Sequence, residues 1–167
     1  MPDIEYVTDR METEELLERL CPPVRNWFMD KFPDFTEPQK VAIPRILKGE
    51  HLLLCSPTGS GKTLTAFLTI IDDLVRGALD GTLPDSVQCV YISPIKALAN
   101  DIEKNLLGPL GEIKERFLPS RAKEIKVGLR TGDTPQSERE KMLRKPPHIL
   151  ITTPESLGLG LALSLIH

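Results

Sequence analysis

One stretch restricts the fold more than any other. The apolar run Leu52-Leu53-Leu54-Cys55 leads into Ser56-Pro57-Thr58-Gly59-Ser60-Gly61-Lys62-Thr63, and Leu64-Thr65-Ala66-Phe67-Leu68-Thr69-Ile70-Ile71 follows. The first segment reads as a short buried strand and the last as a helix, with a small glycine-bearing loop between them. Strand, loop and helix in that order are what a phosphate-cradling loop requires. Gly59 and Gly61 let the backbone turn sharply and approach phosphate oxygens. The loop's amides and the helix N-terminus supply donors and partial positive charge. Lys62 can reach terminal phosphates, and the Thr63 hydroxyl can ligate Mg2+. The common spacing G-x-x-x-x-G-K-[ST] is met except at Ser56, which replaces the first glycine. The bland alternative is a Gly/Ser turn with one exposed lysine, and the agreement of spacing, strand and helix argues against it.

A chain of 167 residues, 40% hydrophobic, is long enough for one domain with a real core. Aromatic residues at 5% predict an aliphatic core. Cys21, Cys55 and Cys89 are far apart, without metal-ligand spacing, and are expected to be reduced, buried thiols of an intracellular, cytoplasmic protein. Met1-Pro2-Asp3-Ile4-Glu5 has no signal-peptide pattern. No apolar run reaches the ~20 residues of a membrane span, so no membrane partner is expected.

Net charge is −3, which does not advertise nucleic-acid binding, but its distribution is uneven. Residues 1–50 hold seven basic and eleven acidic side chains, whereas residues 112–145 hold ten basic and six acidic ones. The basic region is either a solvated face or an electrostatic footprint for nucleic acid.

Residues 11–20 predict a helix with a leucine stripe, broken by Cys21-Pro22-Pro23. Val24 to Phe32 predicts a second helix with Trp27 and Phe28 inward. Thr36-Glu37-Pro38-Gln39 reads as a capping box opening a third helix, which Gly49 ends. Gln39 has two compatible readings. It caps the helix by reaching back to Thr36, or its amide reads adenine, since a donor and an acceptor side by side match the N6/N7 edge.

Beyond the loop helix, strands are expected at Val87–Ser93, Ile125–Arg130 and His148–Thr152. A helix from Pro94 to about Phe117, breakable at Gly108-Pro109, and a basic helix through Arg144 fall between them. A last helix starts at Thr153-Pro154-Glu155. Alternating strands and helices argue an α/β domain with a parallel sheet. Its strands end in small polar residues, at Ser56-Pro57, Ser93-Pro94, Thr131-Gly132-Asp133 and Thr153-Pro154. The carboxyl edge of such a sheet is where ligands bind. These ends are either phosphate sites in a row or simply good helix starts.

Taken together the segments resemble a known family. Ser56–Thr63 is similar to motif I of superfamily 2 helicases, Gln39 to the Q-motif glutamine, and Pro94-Ile95-Lys96-Ala97-Leu98-Ala99 to motif Ia. Thr131-Gly132-Asp133 resembles the T-G-D element, and Thr152-Thr153-Pro154-Glu155 resembles motif Ib. Order and spacing fit the first RecA-like domain of a DExH/DEAD-type helicase over about residues 24–160, and residues 130–157 are most similar to the Lhr (large helicase-related) branch. The resemblance implies an N-terminal helical extension, 1–23, and a partial RecA-like P-loop domain, 24–167, with a parallel sheet flanked by helices.

The resemblance also implies ATP and Mg2+ as cofactors, held by Gln39, Pro57, Thr58, Gly59, Ser60, Gly61, Lys62, Thr63 and Leu64. Lys62 and Thr63 are the catalytic residues it assigns, Thr63 being the metal ligand. It assigns Pro94, Lys96, Ala97, Gly132, Asp133, Thr153, Pro154 and Glu155 to the backbone of single-stranded or duplex DNA or RNA. The family's D-E-x-H or D-E-A-D pair and its second RecA-like domain, a further implied partner, do not occur in these residues. The expectation is therefore the front of an ATP-dependent helicase or translocase that binds nucleotide and alone hydrolyses essentially none. Alternatives are a nucleotide-gated nucleic-acid-binding module that does not unwind, or another P-loop NTPase such as a kinase.

Overall fold

A computed structural model describes residues 5–94 and 102–164. Two compact units divide the chain, Met1–Val75 with Lys104–Pro119 and Arg76–Glu103 with Ser120–His167.

The first unit is helical. Helix α1, Thr13–Arg19, buries Leu16, and α2, Pro22–Lys31, buries Val24, Trp27 and Phe28. The two prolines do more than break α1. They occupy the first turn of α2, where a missing N–H is no loss. Its N-cap amide, on Cys21, donates to the buried Asp72 carboxylate at 2.6 Å. Helix α3 spans Glu37–Leu47 and α4 spans Lys62–Asp80. In this unit α4 buries Leu64, Phe67, Leu68, Ile71, Leu74 and Val75, each contributing roughly 1.5–3 kcal/mol by leaving water. A π-helical turn, Glu103–Leu107, runs into α5, Gly108–Phe117, so the chain changes pitch at Gly108-Pro109 without a break. Helix α5 packs on α2, where Glu112 accepts from Trp27 Nε1 at 2.8 Å and pairs with Lys31.

Among the described residues the core is mainly aliphatic, as expected, and its buried aromatic side chains, Trp27, Phe28, Phe35 and Phe67, lie in this unit. Phe28 stacks on Phe35 at 4.0 Å between centroids and also meets Phe32. Cys21 is buried as expected, but Cys55 is exposed and Cys89 half-buried.

The expected strand at Leu52–Cys55 is a correction. The segment carries no sheet pairing, although its exposure alternates in the way an extended chain's does. Leu53 is 85% exposed, while Leu52 and Leu54 line a cleft of about 380 Å3 with Ile46, Thr65 and Thr69. A strand is defined by its neighbours, and local hydrophobicity cannot supply them.

The second unit holds a parallel sheet. Strands β1, Cys89–Ile92, and β2, Val127–Arg130, both pair with the central β3, Ile149–Thr152. The registers align Ile92 with Thr152 and Arg130 with Thr152, so all three strands end at one level. Helix α6, Gln136–Arg144, joins β2 to β3, and α7, Pro154–Ser164, follows β3. Each strand is shorter than the sequence suggests, trimmed mainly at its N-terminal side.

His148 is the node where the strands begin. Its carbonyl accepts from Gln88 and Cys89, its amide donates to Lys126, and its Nδ1 accepts from the Lys126 amide at 2.9 Å. The ring is fully buried, and burial, reinforced by Lys126 and Lys123, pulls its pKa below the ordinary histidine value. The folded state thus favours the neutral ring. Stability should be fully present above the ordinary value and decline as pH falls from about 7 to 5, because the unfolded chain then takes up a proton first. His148→Asn keeps an acceptor for Lys126 but cannot titrate. Urea midpoints across that range should fall less steeply for the variant than for the wild type, and parallel profiles would remove His148 as the cause.

Candidate functional site

The loop between Leu54 and α4 has the backbone that phosphate binding needs. Gly59 and Gly61 both have positive φ, 81° and 84°, a conformation costly to any residue with a Cβ. The Gly61 carbonyl takes the Thr65 amide at 2.9 Å, which makes Gly61 the entry to α4. The amides of Lys62, Thr63 and Leu64 are then the first-turn donors that no helix carbonyl satisfies, and they carry the positive end of the helix dipole. Lys62 Nζ is folded onto the loop, donating to the carbonyls of Ser56 and of Pro57, the latter at 2.7 Å. The hydroxyls of Ser56 and Ser60 bond each other across the same turn. Pro57, Thr58 and Gly59 are exposed, Thr63 half-buried and Leu64 buried.

Helix α3 enters the site from its capped end. The capping box forms, with Gln39 Oε1 accepting the Thr36 amide at 2.9 Å. Two contacts beyond the cap reach the loop. The Thr36 hydroxyl donates to the Ser60 carbonyl at 2.9 Å, and a Cβ placed on Gly61 would stand 2.8 Å from Gln39 Nε2. Sequence reasoning named Gln39 but missed Thr36 as a loop contact. A hydroxyl at an N-cap position looks fully accounted for by its own helix.

The donor set fits a nucleotide's phosphates, with three orphan amides, one lysine and a dipole converging on one turn. Thr63, half-buried in the first turn of α4, is the residue that could hold a magnesium ion there. Among the described residues, no cluster of acidic, histidine or cysteine side chains could hold a metal by itself. Asp72 is 2% exposed and committed to the start of α2.

In the second unit the common level of the strand ends brings Ser93-Pro94, Thr131-Gly132-Asp133 and Thr153-Pro154 to one edge of the sheet. Ser93 N donates to the Thr152 carbonyl at 3.1 Å, and the Thr152 hydroxyl donates to the Arg130 carbonyl at 2.7 Å. Gly132, Asp133, Pro94, Pro154 and Glu155 are exposed. Thr153 is different. It is 1% exposed, and its hydroxyl accepts the Ser156 amide at 3.3 Å as the cap of α7, so its side chain is spent on the helix. Lys96 and Ala97, with Ile95, Leu98 and Ala99 of their motif, lie outside the described residues.

A glycine loop of this geometry opening a long helix, in a chain that also carries a parallel sheet with helical crossovers, defines a P-loop α/β protein. The profile of the DEAD/DEAH box helicase family matches residues 36–163, and the chain belongs to that family. It is 56% identical over 153 residues to the ATP-dependent helicase Lhr-Core of Methanothermobacter thermautotrophicus, covering 90% of this chain and 18% of that protein. Against the ATP-dependent helicase Lhr-Core of Methanocaldococcus jannaschii it is 47% identical over 163 residues, covering 96% of this chain and 19% of the relative. The chain thus spans about a fifth of the length of these relatives. Among solved structures it resembles Mycobacterium smegmatis helicase Lhr bound to ssDNA and AMP-PNP. The TM-score is 0.69 at 44% identity, with 84% of this chain and 18% of that one covered. The RecA-like fold expected from the resemblance is thereby established.

Gly61→Ala tests the close approach between loop and cap. The new methyl meets Gln39, and the left-handed backbone alone costs about 1–2 kcal/mol. The variant should melt earlier and lose at least tenfold in nucleotide affinity. Adding Gln39→Ala removes the obstacle, so the double variant should lose less stability than the two singles combined. Strict additivity in urea melts would show that the two residues do not press on each other.

Proposed function

We propose that this chain is the ATP-binding and nucleic-acid-binding front of an ATP-dependent DNA or RNA helicase or translocase, in the Lhr branch. The observation that carries the reading is the loop itself. Two left-handed glycines, three first-turn amides and Lys62 converge at the start of α4. Bound ATP would supply the transferable phosphoryl group, with Mg2+ at Thr63. The residues do the holding. Loop amides receive phosphate oxygens, and Lys62 exchanges its two carbonyl partners for phosphate charge. Gln39 positions Gly61 and offers its amide to an adenine edge. A second RecA-like domain of the parent protein is the partner expected to close on the nucleotide.

The partner at the sheet edge is the sugar-phosphate backbone of a nucleic-acid strand, met by Pro94, Gly132, Asp133, Pro154 and Glu155 and by main-chain groups at Thr153. Lys96 and Ala97 belong to the same proposed surface by sequence. The helicase in the similar solved structure is bound to ssDNA and AMP-PNP, which supports both ligand classes. The domain reading remains a helical extension, residues 1–23, ahead of the partial helicase domain. Its Leu16, Leu20 and Cys21 are buried. No helix among the described residues is long and apolar enough to cross a membrane.

Lys62→Ala should weaken binding of a fluorescent ADP analogue by about tenfold to a hundredfold, the loss of one charge-assisted contact of roughly 1.5–3 kcal/mol. Equal affinities for the two proteins would end the nucleotide assignment.

Strand binding is checked separately with oligo(dT) and oligo(U). Affinity should fall by about 0.7 log units per log unit of salt for each phosphate neutralised, with little preference for base sequence. A response flat in salt would count against a backbone-reading surface.

A further inference from the structure

Arg139 sits on α6, in the basic stretch that reads as a solvated or phosphate-seeking face, yet its guanidinium is turned back onto the chain. Nε donates to the Thr134 carbonyl at 2.9 Å, and Nη2 donates to the carbonyls of Thr131 at 3.2 Å and Gly132 at 2.9 Å. Three of the four carbonyls of the turn Thr131–Thr134 are thus gathered by one planar fork. The turn is tied a second time from beneath. The Thr134 hydroxyl accepts the Thr131 amide at 2.8 Å, the Thr134 amide closes on the Thr131 carbonyl at 3.3 Å, and Thr134 is nearly buried. Gly132 and Asp133 are left exposed at the tip. Among the described residues their amides donate to no protein acceptor.

The electrostatic consequence follows from where the oxygens go. A free turn offers an approaching phosphate both carbonyl oxygens, which repel it, and N–H groups, which attract it. With its carbonyls drawn to a guanidinium and a positive charge fixed behind it, this turn presents amides. We propose that Arg139 is a positioning residue for strand binding. It does not touch the nucleic acid, but it shapes the Thr131–Thr134 turn so that Gly132 and Asp133 can receive a backbone phosphate. The proposal rests on the reading of the sheet edge as a strand-binding surface. Lysine cannot replace this arginine, because a point-charge ammonium keeps the charge and loses the planar fork.

The test uses the 167-residue chain with oligo(dT) and oligo(U), comparing wild type, Arg139→Ala and Arg139→Lys over a range of salt. Both variants should bind about tenfold more weakly than wild type while keeping its log–log salt slope, because no phosphate-neutralising charge has been removed from the contact surface. Hydrogen exchange should also quicken at the hydrogen-bonded Thr131 and Thr134 amides of the turn in both variants, with the amides of β2 and β3 unchanged. Arg139→Ala with a slope shallower by about 0.7 is a direct phosphate contact and overturns the proposal. Recovery by Arg139→Lys overturns it too, since charge alone would then suffice, and so does unaltered exchange at the turn or wild-type affinity in both variants. A wild-type chain that binds neither oligonucleotide at any salt overturns the strand-binding reading and the proposal with it, an outcome visible before any variant is made.

Discussion

The close approach of Gln39 to Gly61, on which a Cβ would stand 2.8 Å from the Gln39 amide nitrogen, sets the rest of the candidate nucleotide site. It joins two decisions made separately in the sequence, a capped helix start at Thr36 and a glycine turn at the start of α4. Because the Thr36 hydroxyl also holds the Ser60 carbonyl, the loop's shape is imposed by α3 rather than by the loop's own preferences. A loop of small residues pays heavily in conformational entropy to sit in one geometry. External bonds from a helix that is already capped offset that cost without adding bulk where phosphate must enter. The long buried stripe of α4 then fixes the direction in which its three orphan amides point.

The second unit solves a similar problem with a sheet. Register does the positioning there. Once Cys89, Val127 and Ile149 are in line, Ile92, Arg130 and Thr152 must end together, and whatever follows each strand emerges at a shared edge. His148 sets that register at the other end by taking backbone bonds from both neighbouring strands. It is an uncommon choice for such a node, since only the neutral ring can accept. The neighbouring lysines help to hold it in that state.

Local signals in the sequence were legible where one element decides them alone. The capping box, the left-handed glycines, the long amphipathic α4 and three of the strands follow from spacing and residue type. Leu52–Cys55 failed because pairing is non-local, and four apolar residues say nothing about whether a partner strand is at hand. Cys55 was misjudged for the same reason, as its burial depended on that pairing. Asp72 carries no local sign of its role, because its partner, the Cys21 amide, is fifty-one positions away. Thr153 was read by motif as a surface contact, whereas its hydroxyl serves the helix it introduces. Arg139 was invisible as an individual. A basic residue in a basic helix carries no mark of which way its guanidinium turns.

The two candidate sites share one electrostatic device and use it differently. In each, a cation is bonded to backbone carbonyls of the candidate turn, Lys62 to those of Ser56 and Pro57 and Arg139 to those of Thr131, Gly132 and Thr134. Lysine is a compact charge on a flexible stem, and neutral carbonyls hold it less strongly than phosphate oxygens would. Its bonds in the loop are therefore exchangeable, and in the proposed nucleotide complex they would be traded for phosphate contacts rather than added to. Such a trade would place the net contribution of Lys62 toward the lower part of the range for a charge-assisted bond. Arginine's fork meets three acceptors at once, and leaving would strand all three carbonyls at a turn held from beneath by Thr134. On the proposed reading, the lysine is therefore the cation able to move onto a ligand, and the arginine is the one that stays behind and shapes the turn that would receive one.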